Sequence, residues 1–402
     1  MPLREISALF RLSALALTLI AAGCANQQAA MLIGTEAIAA DESQLAGRHS
    51  IFVATTRERS NVPNEVFAGE RSLALSYAVT DVTVPRAHKV GAVEHPPARG
   101  ARDPSRHFNA SAPQIYGEEK AFVDDLARSI KERGGRALVF IHGYNTRFDH
   151  AVYRLTQIAH DSGYDGAVVL FTWASRGRTV DYIYDRDSAH VGRDGLERTL
   201  RLVQQAGASR IDIIAHSMGN WVTLEALRQF AISGDRDLGG KLGDVILASP
   251  DVDVDVFKSQ MKRYGRPEKP FFVMLSRNDR ALNISGMIAG NRPRLGEYAD
   301  ADDIAQYGVV VINVTDVESS GLNHTKFAEN PVLISLMGER LRSGDALTEA
   351  ESDLTGHIDT LARSLGQTAV SAASIVITTP AAVVGAAVDT VSQGNVLVRP
   401  RQ

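Results

Sequence analysis

The sequence predicts an α/β fold in which a mostly parallel sheet carries helices on both faces. Short runs of Val, Ile, Leu and Phe alternate with longer segments of helical periodicity between residues 136 and 340. The apolar runs are continuous, as expected of strands that are buried on both sides. The chain has 402 residues, 44% hydrophobic and 22% charged, which suits one large domain of this class or two ordinary ones.

The first 24 residues resemble the signal of a bacterial lipoprotein. Arg4 and Arg11 precede an apolar run that is too short for a comfortable membrane span, and the run ends in IAAGC at Cys24. The lipobox usually has Leu where Ala21 stands. The resemblance implies lipidation of Cys24 and a membrane tether; a simple cleaved signal and an uncleaved anchor are the alternatives. Asn26 replaces the Asp that retains many such proteins at the inner membrane, which favours the outer membrane.

The region between this signal and the alternating segments is predicted to contain a tether, two strands and a loop. Residues 25–46 are small and polar and form the predicted tether. Strands are predicted over residues 49–57 and 72–85, the second of which ends at a proline. Residues 86–115 are rich in Pro, Arg, His and Gly and are predicted to be a long surface loop. Together with the alternating region they give a predicted domain of residues 47–345.

The alternating region supplies the sheet and its helices. Strands are predicted at RALVFI, GAVVLFTW, RIDIIAH, GDVILA, KPFFVML and GVVVINV. Helices are predicted between them, including one that begins near Ala189 and closes at Gly207. Residues 346–402 contain an apolar stretch that Thr378, Thr379 and Pro380 interrupt. They are predicted to be a disordered or surface-packed tail, with a membrane-spanning helix as the alternative.

Composition excludes several classes of function. The net charge is −4 and no Lys/Arg cluster is present, so no nucleic-acid partner is expected. Cys24 is the single cysteine, which rules out an intrachain disulfide and a thiolate metal site. The histidines are not paired at helical spacing, and no glycine-rich phosphate loop precedes a Lys-Ser/Thr pair. We therefore predict neither a metal nor a cofactor, and the sequence gives no oligomeric state.

The stretch AHSMG predicts a nucleophilic serine. It lies between a predicted strand and a predicted helix, as a nucleophile elbow requires. Ala215 replaces the first glycine of the usual Gly-x-Ser-x-Gly pattern, and Gly219 keeps the second. Such a turn exposes the hydroxyl of Ser217 and directs the N–H of Met218 into the same space, at the positive end of the helix. The alternative is a serine in an ordinary strand-to-helix turn.

A serine nucleophile needs a base and an orienting acid. In this topology the chain order is Ser, then Asp or Glu, then His. His324 follows the strand GVVVINV on a loop and is the predicted base. Asp279, just past the strand KPFFVML, is the favoured acid. Asp251 and Asp253, past the preceding strand, are the alternatives, although the DVDVD run also suits a helix N-cap.

An oxyanion needs two N–H donors. The N–H of Met218 is the first candidate, and the N–H of Tyr144, after the strand RALVFI, is the second. Gly143 allows the backbone to approach a substrate closely. Tyr144 and Asn145 are candidate pocket residues. His142 and His216 are predicted to be structural rather than catalytic.

Several separate blocks of sequence resemble one family. Residues 48–342 contain IFVATTR, FIHGYNTRF, LFTWASRG, DYIYDRDSA, IIAHSMGN, ASPDVD, SRNDRAL and NHTKF. Together they resemble a bacterial α/β-hydrolase family of unknown function in the esterase/lipase superfamily. The resemblance implies the α/β-hydrolase fold and a triad of Ser217, Asp279 and His324. The family usually has Ser-Trp-Pro-Ser where this chain has TWAS, so Trp173 is a further candidate pocket residue.

These observations predict a membrane-tethered serine hydrolase that cleaves carboxylic esters, with a small-molecule or lipid acyl ester as substrate. The absence of a long insertion between the core strands argues mildly against a lipase with a large mobile lid. Two alternatives remain at this point. The same triad would serve an amidase or acyltransferase, and the chain would be a lipid-anchored binding or scaffold protein if the triad were silent.

Overall fold

The computed structural model describes residues 40–62, 65–97, 102–319, 321–343 and 375–380. These residues form an eleven-stranded sheet with helices on both faces, which confirms the predicted fold class. The predicted signal with Cys24, residues 25–39 of the predicted tether and most of the tail lie outside the described residues. Residues 40–46 of the predicted tether are described, and the first strand begins within them at Leu45. No helix in the described part of the chain is long and apolar enough to cross a bilayer.

The elements follow one another in the order that the sequence predicts for the alternating region. The strands are β1 (Leu45–Arg59), β2 (Phe67–Pro85), β3 (Asn109–Ala110), β4 (Gln114–Tyr116), β5 (Arg136–Ile141), β6 (Ala167–Thr172), β7 (Arg210–His216), β8 (Leu242–Ala248), β9 (Phe271–Leu275), β10 (Val309–Asn313) and β11 (Val376–Thr378). The helices are α1 (Glu119–Glu132), α2 (Phe148–Asp161), α3 (Tyr182–Gln205), α4 (Gly219–Ile232), α5 (Val254–Tyr264), α6 (Arg280–Ile288), α7 (Ala301–Ala305), α8 (Lys326–Glu329) and α9 (Pro331–Ser343).

The centre of the sheet is parallel. The strands lie in the order β11-β10-β9-β8-β7-β5-β6-β1-β2-β3, and β4 also pairs with β2. All pairs from β10 to β1 are parallel, whereas β2 and β11 run antiparallel to their neighbours. Strand β7 lies between β5 and β8, so the loops that follow these three strands meet at one edge of the sheet. This edge carries the residues that the sequence predicts to be functional.

Two apolar cores lie on opposite faces of the sheet. Helices α1, α3, α4 and α5 contribute to one core, and α2, α8 and α9 contribute to the other. Alternate residues of each central strand supply the two sides, as a pleated strand requires: Val139 points to the first core and Phe140 to the second. Nearly continuous burial along β5 to β9 explains why these strands are mostly apolar. The fully buried charged residues in them are Asp212 and Asp244, which pair with Arg210 and Arg340.

Three segments differ from the prediction. The predicted loop over residues 86–115 is not simply a surface loop, because β3 and β4 pair with β2 and Phe108 is fully buried. Part of the predicted tail, residues 376–378, adds an edge strand to β10. Helix α3 begins at Tyr182 rather than near Ala189. In each case an apolar or aromatic residue within a polar stretch packs onto the sheet or a helix. The local sequence pattern does not predict such tertiary contacts.

Candidate active site

Ser217 lies on a tight turn between β7 and α4. Its φ of 52° is in the left-handed region, which is uncommon for a residue with a side chain. Backbone contacts hold the turn, because the N–H of Ser217 donates to Ala248 O at 3.0 Å and Asn220 Nδ2 donates to Ser217 O at 2.9 Å. The residue is 4% exposed and lines a cavity at the edge of the sheet. This is the strained turn that the AHSMG stretch predicts.

Two glycines allow the backbone around Ser217 to pack this closely. A Cβ on Gly219 would lie 2.5 Å from His142 O and 2.7 Å from Ile141 O. A Cβ on Gly143 would lie 2.8 Å from the Cβ of Ser217. The loop after β5 therefore lies directly against the serine, so that the backbone of residues 143 and 144 and the first turn of α4 border the same space.

Asp279 and His324 are brought together by the loops after β9 and β10. Oδ2 of Asp279 accepts a hydrogen bond from Nδ1 of His324 at 2.7 Å. Its other oxygen, Oδ1, accepts from the backbone N–H groups of Ala281 and Leu282 at 3.0 and 3.1 Å and so caps α6. Because Nδ1 donates to the carboxylate, Nε2 of His324 is the acceptor nitrogen of the neutral ring. His324 and Ser217 line the same cavity.

The surroundings of His324 favour its protonated form. Burial is the largest single effect and would lower the pKa of the imidazole, but three other effects outweigh it. These are the charge of Asp279, the hydrogen bond to that carboxylate and the more distant charge of Asp251. The pKa of His324 is therefore raised above its usual value of 6.5.

Asp251, the alternative acid, is used elsewhere. Its carboxylate forms an ion pair with Arg294 Nε at 3.1 Å and accepts hydrogen bonds from Tyr182 OH at 3.1 Å and from Ser285 Oγ. Among the described residues, no hydrogen bond or ion pair joins Asp251 to His324. The alternative assignment of Asp251 as the acid of the triad is therefore wrong for this structure. Asp253 caps α5 through the N–H groups at positions 255 and 256, as the sequence predicts.

Trp173 does not line the cavity, which corrects its assignment as a candidate pocket residue. It is fully buried, its Nε1 donates to His142 O at 2.9 Å, and its ring stacks on the imidazole of His142 at 5.1 Å. Nε2 of His142 in turn bonds to Thr172 Oγ1 at 2.8 Å. Burial is the main reason that the pKa of His142 falls to about 3, so the ring is neutral. Both rings thus support the strand ends beneath the cavity.

A buried Arg and a buried Asp fix the loop after β5, and the sequence prediction missed both. Arg57 donates to Thr146 O and Ser175 O, each at 2.7 Å. Asp185 accepts from the N–H of Asn145 at 3.1 Å and from Ser175 Oγ at 2.6 Å. Burial lowers the pKa of Arg57 to about 10 and raises that of Asp185. The sequence does show two unusual positions. Arg57 is a charged residue near the buried end of β1, and Asp185 is a charged residue on the buried face of α3.

Met218 and Tyr144, the candidate oxyanion donors, flank Ser217. Met218 is the N-cap of α4, so its N–H belongs to the turn whose N–H groups have no acceptor within the helix. Tyr144 follows Gly143 on the loop that lies against the serine. Gly143, Tyr144 and Asn145 all line the cavity, as predicted for pocket residues.

The cavity has a volume of about 630 Å³ and extends over both faces of the sheet edge. Its end on the α6 side is largely apolar and includes Leu282, Ile284, Ile288 and Leu322. Its end on the α2 side is polar and includes His95, His150, Arg154, Thr325 and Glu329. Ser217 lies between these ends, since β7 is between β5, which leads to α2, and β9, which leads to α6. His324 comes from the loop after β10 and lines the same cavity.

The comparisons with known proteins agree with this fold. The model of an alpha/beta hydrolase family of unknown function (DUF900) matches residues 118–340, more than half of the chain. The chain belongs to this family. The DUF900 match includes the loops that carry Ser217, Asp279 and His324. A search of curated proteins finds no match.

Solved structures that resemble the chain include esterases. An esterase from Pyrobaculum calidifontis in a monoclinic crystal form is 12% identical, with a TM-score of 0.34, and the match covers 85% of this chain and 94% of that one. Fungal esterases from Rhizomucor miehei are 11% identical, with a TM-score of 0.35 and coverage of 75% and 85%.

The contact between Asp279 and His324 predicts a specific titration. In Asp279→Asn the imidazole loses its negative partner, so we expect the pKa of His324 to fall below its wild-type value, as measured by NMR of the ring protons. Asp253→Asn is the matched control, because Asp253 also caps a helix but does not contact a histidine. An unchanged His324 titration in Asp279→Asn would contradict the interaction.

Proposed function

We propose that this protein is a serine hydrolase that cleaves carboxylic esters through an acyl-enzyme. Ser217 is the nucleophile, His324 the general base and Asp279 the residue that orients the base. The observation that carries the proposal is the hydrogen bond between Asp279 and His324 at the wall of a cavity that also contains the strained Ser217. A nucleophile, a base and an orienting acid at one sheet edge are what acyl transfer needs.

In the proposed reaction the hydroxyl of Ser217 attacks the ester carbonyl while Nε2 of His324 accepts its proton. The charge of Asp279 stabilises the imidazolium that results. The N–H groups of Met218 and Tyr144 donate to the oxyanion, and one such donor is typically worth ~2.7–4 kcal/mol in the transition state. His324 then protonates the alcohol that leaves, and water releases the acyl group by the same steps in reverse order.

The apolar end of the cavity favours esters with an alkyl chain. Ile284 and Ile288 lie on one side of α6, one turn apart, and line the cavity together with Leu322. All three are also partly exposed, so a chain that lies along them would remove both the protein and the substrate surface from water. Each methylene that is buried in this way contributes about 0.8 kcal/mol.

We also propose that lipid on Cys24 tethers the enzyme to a membrane of the cell envelope. The support is the lipobox-like IAAGC sequence, and Cys24 itself lies outside the described residues. From Cys24 to the first described residue, Ala40, the chain has 16 residues to span. A fully extended chain of this length spans at most about 54 Å.

Ser217→Ala tests the enzyme. With p-nitrophenyl butyrate we expect the variant to lose about 10⁴-fold or more in kcat and to lose labelling by a fluorophosphonate probe. Ser188→Ala is the matched control, because Ser188 is equally buried but bonds to the backbone of α3 away from the cavity. If the wild-type protein neither hydrolyses esters nor reacts with the probe, the proposal is wrong. A catalytically silent binding protein is then the alternative.

Chain length tests the apolar end. Between p-nitrophenyl acetate and hexanoate we expect kcat/KM to rise by about fourfold for each methylene that is buried. Ile284→Ser and Ile288→Ser should reduce the hexanoate-to-acetate ratio at least threefold. Ile232→Ser, at the exposed end of α4, should leave the ratio unchanged. Equal rates for all chain lengths in wild type would count against an alkyl subsite.

Metabolic labelling with a fatty acid tests the tether. Full-length wild type should incorporate the label and sediment with membranes, whereas Cys24→Ser should do neither. Ala21→Leu restores the usual lipobox residue and should be labelled at least as well as wild type. A mature wild-type protein that retains an unlabelled cysteine would show that the segment is not a lipoprotein signal.

A further inference from the structure

Arg154 lies on the polar wall of the cavity, one and a half turns into α2. Its Nη1 donates to Gln157 Oε1 at 2.9 Å and approaches Ala328 O at 3.5 Å. These two acceptors hold the side chain against α8 and use only one of the three nitrogen atoms of its guanidinium group. The cavity on this wall is shared with Ser217 and His324.

The guanidinium of Arg154 has no ion-pair partner within 4.0 Å among the residues that the structure describes. Burial is the main reason that its pKa is lowered, while the charges of Glu329 and Asp161 partly oppose the shift. Arg154 is half-buried, and its Nε and Nη2 have no acceptor among the described residues. A guanidinium with two free donors at a cavity wall suits a ligand anion. Because Arg154 lines the cavity, these two nitrogen atoms are available to a ligand there.

Glu329 is the charge that competes most with such a ligand. It lines the same wall, accepts a hydrogen bond from Thr325 Oγ1 and exerts the largest attraction on Arg154. Its negative charge reduces the positive potential at this end of the cavity. Removal of this carboxylate should strengthen anion binding, which makes it a useful second test.

Two neutral imidazoles stand beside Arg154. His95 and His150 stack with ring centroids 4.8 Å apart, and both line the cavity. Desolvation is the main reason that the pKa of each falls to about 4, and the charge of Arg154 lowers both further. Neutral imidazoles each keep one N–H donor, so this wall offers hydrogen-bond donors around a fixed cation.

We propose that Arg154, with His95 and His150, forms an anion subsite, and that the natural substrate is an ester that also carries a carboxylate. The proposal rests on the proposed esterase function and adds a substrate class to it. A guanidinium fork matches a carboxylate in two parallel hydrogen bonds, which gives both affinity and orientation. The alkyl part of the substrate would lie at the α6 end of the cavity, with the ester at Ser217 between the two.

The test compares each carboxylate with its uncharged carboxamide. The first pair is octanoyl glycolate and octanoyl glycolamide, in which the anionic group is on the alcohol. The second pair is monooctyl succinate and octyl succinamate, in which it is on the acyl group. In wild type we expect kcat/KM to favour the carboxylate by about tenfold or more in at least one pair, as one charge-assisted contact allows. The pair that shows the preference identifies which side of the ester faces Arg154.

Variants locate the preference. Arg154→Gln should bring the carboxylate-to-carboxamide ratio close to one, Arg154→Lys should keep part of it, and Glu329→Gln should increase it. Arg128→Gln, an exposed arginine on α1, should leave it unchanged. Because the readout is a ratio within one protein, a general loss of activity cancels. A wild-type ratio near one in both pairs, or a ratio that Arg154 and Glu329 substitutions leave unchanged, overturns the proposal.

Binding separates this proposal from the esterase function. In Ser217→Ala, calorimetric titration should still show tighter binding of the carboxylate than of the carboxamide in the same pair. If wild type hydrolyses none of the four compounds but this binding preference is present and depends on Arg154, the esterase function fails and the subsite stands. If the esters are hydrolysed without any such preference, only the subsite fails.

Discussion

The arrangement depends on one carboxylate that has two tasks. Asp279 caps α6 with one oxygen and accepts from His324 with the other, so the position of the imidazole is tied to the position of a helix. That helix also carries Ile284 and Ile288, which form the apolar wall of the cavity. The same fully buried side chain thus sets the tautomer of the proposed base and the place of the wall against which a substrate chain would lie.

A second group of polar contacts positions the opposite border of the site. Arg57 and Asp185 hold the loop after β5 by its backbone. Gly143 then lies so close to Ser217 that a Cβ at position 143 would be 2.8 Å from the Cβ of Ser217. Both charged side chains are almost fully buried and come from different parts of the chain, since one is at the end of β1 and the other in the first turn of α3. Their cost of burial is offset by several hydrogen bonds each, which is the condition under which buried charges persist.

The sequence predicted the central strands well because a parallel sheet that is covered on both faces needs mostly apolar residues along each strand, and this signal is local. It also placed Ser217, Asp279 and His324 at strand ends, since the order of residue types along the chain restricts which loops can meet. The sequence prediction failed where contacts between distant segments determine the position of a side chain. Trp173 was assigned to the pocket because the family resemblance departs from its usual pattern at TWAS, but the Trp173 side chain is buried and stacks on His142. Arg57, Arg154 and Asp185 gave no motif of their own, because their roles come from loops distant in sequence.

Both edges of the sheet end in very short strands. At one edge of the sheet, three residues of β11 pair with β10. At the other edge, β3 with two residues and β4 with three residues pair with parts of the long strand β2. A long apolar strand with open backbone groups is a template for pairing with another chain. Segments outside the regular alternation, including residues 376–378 of the tail, thus reduce the backbone that is available for edge-to-edge aggregation.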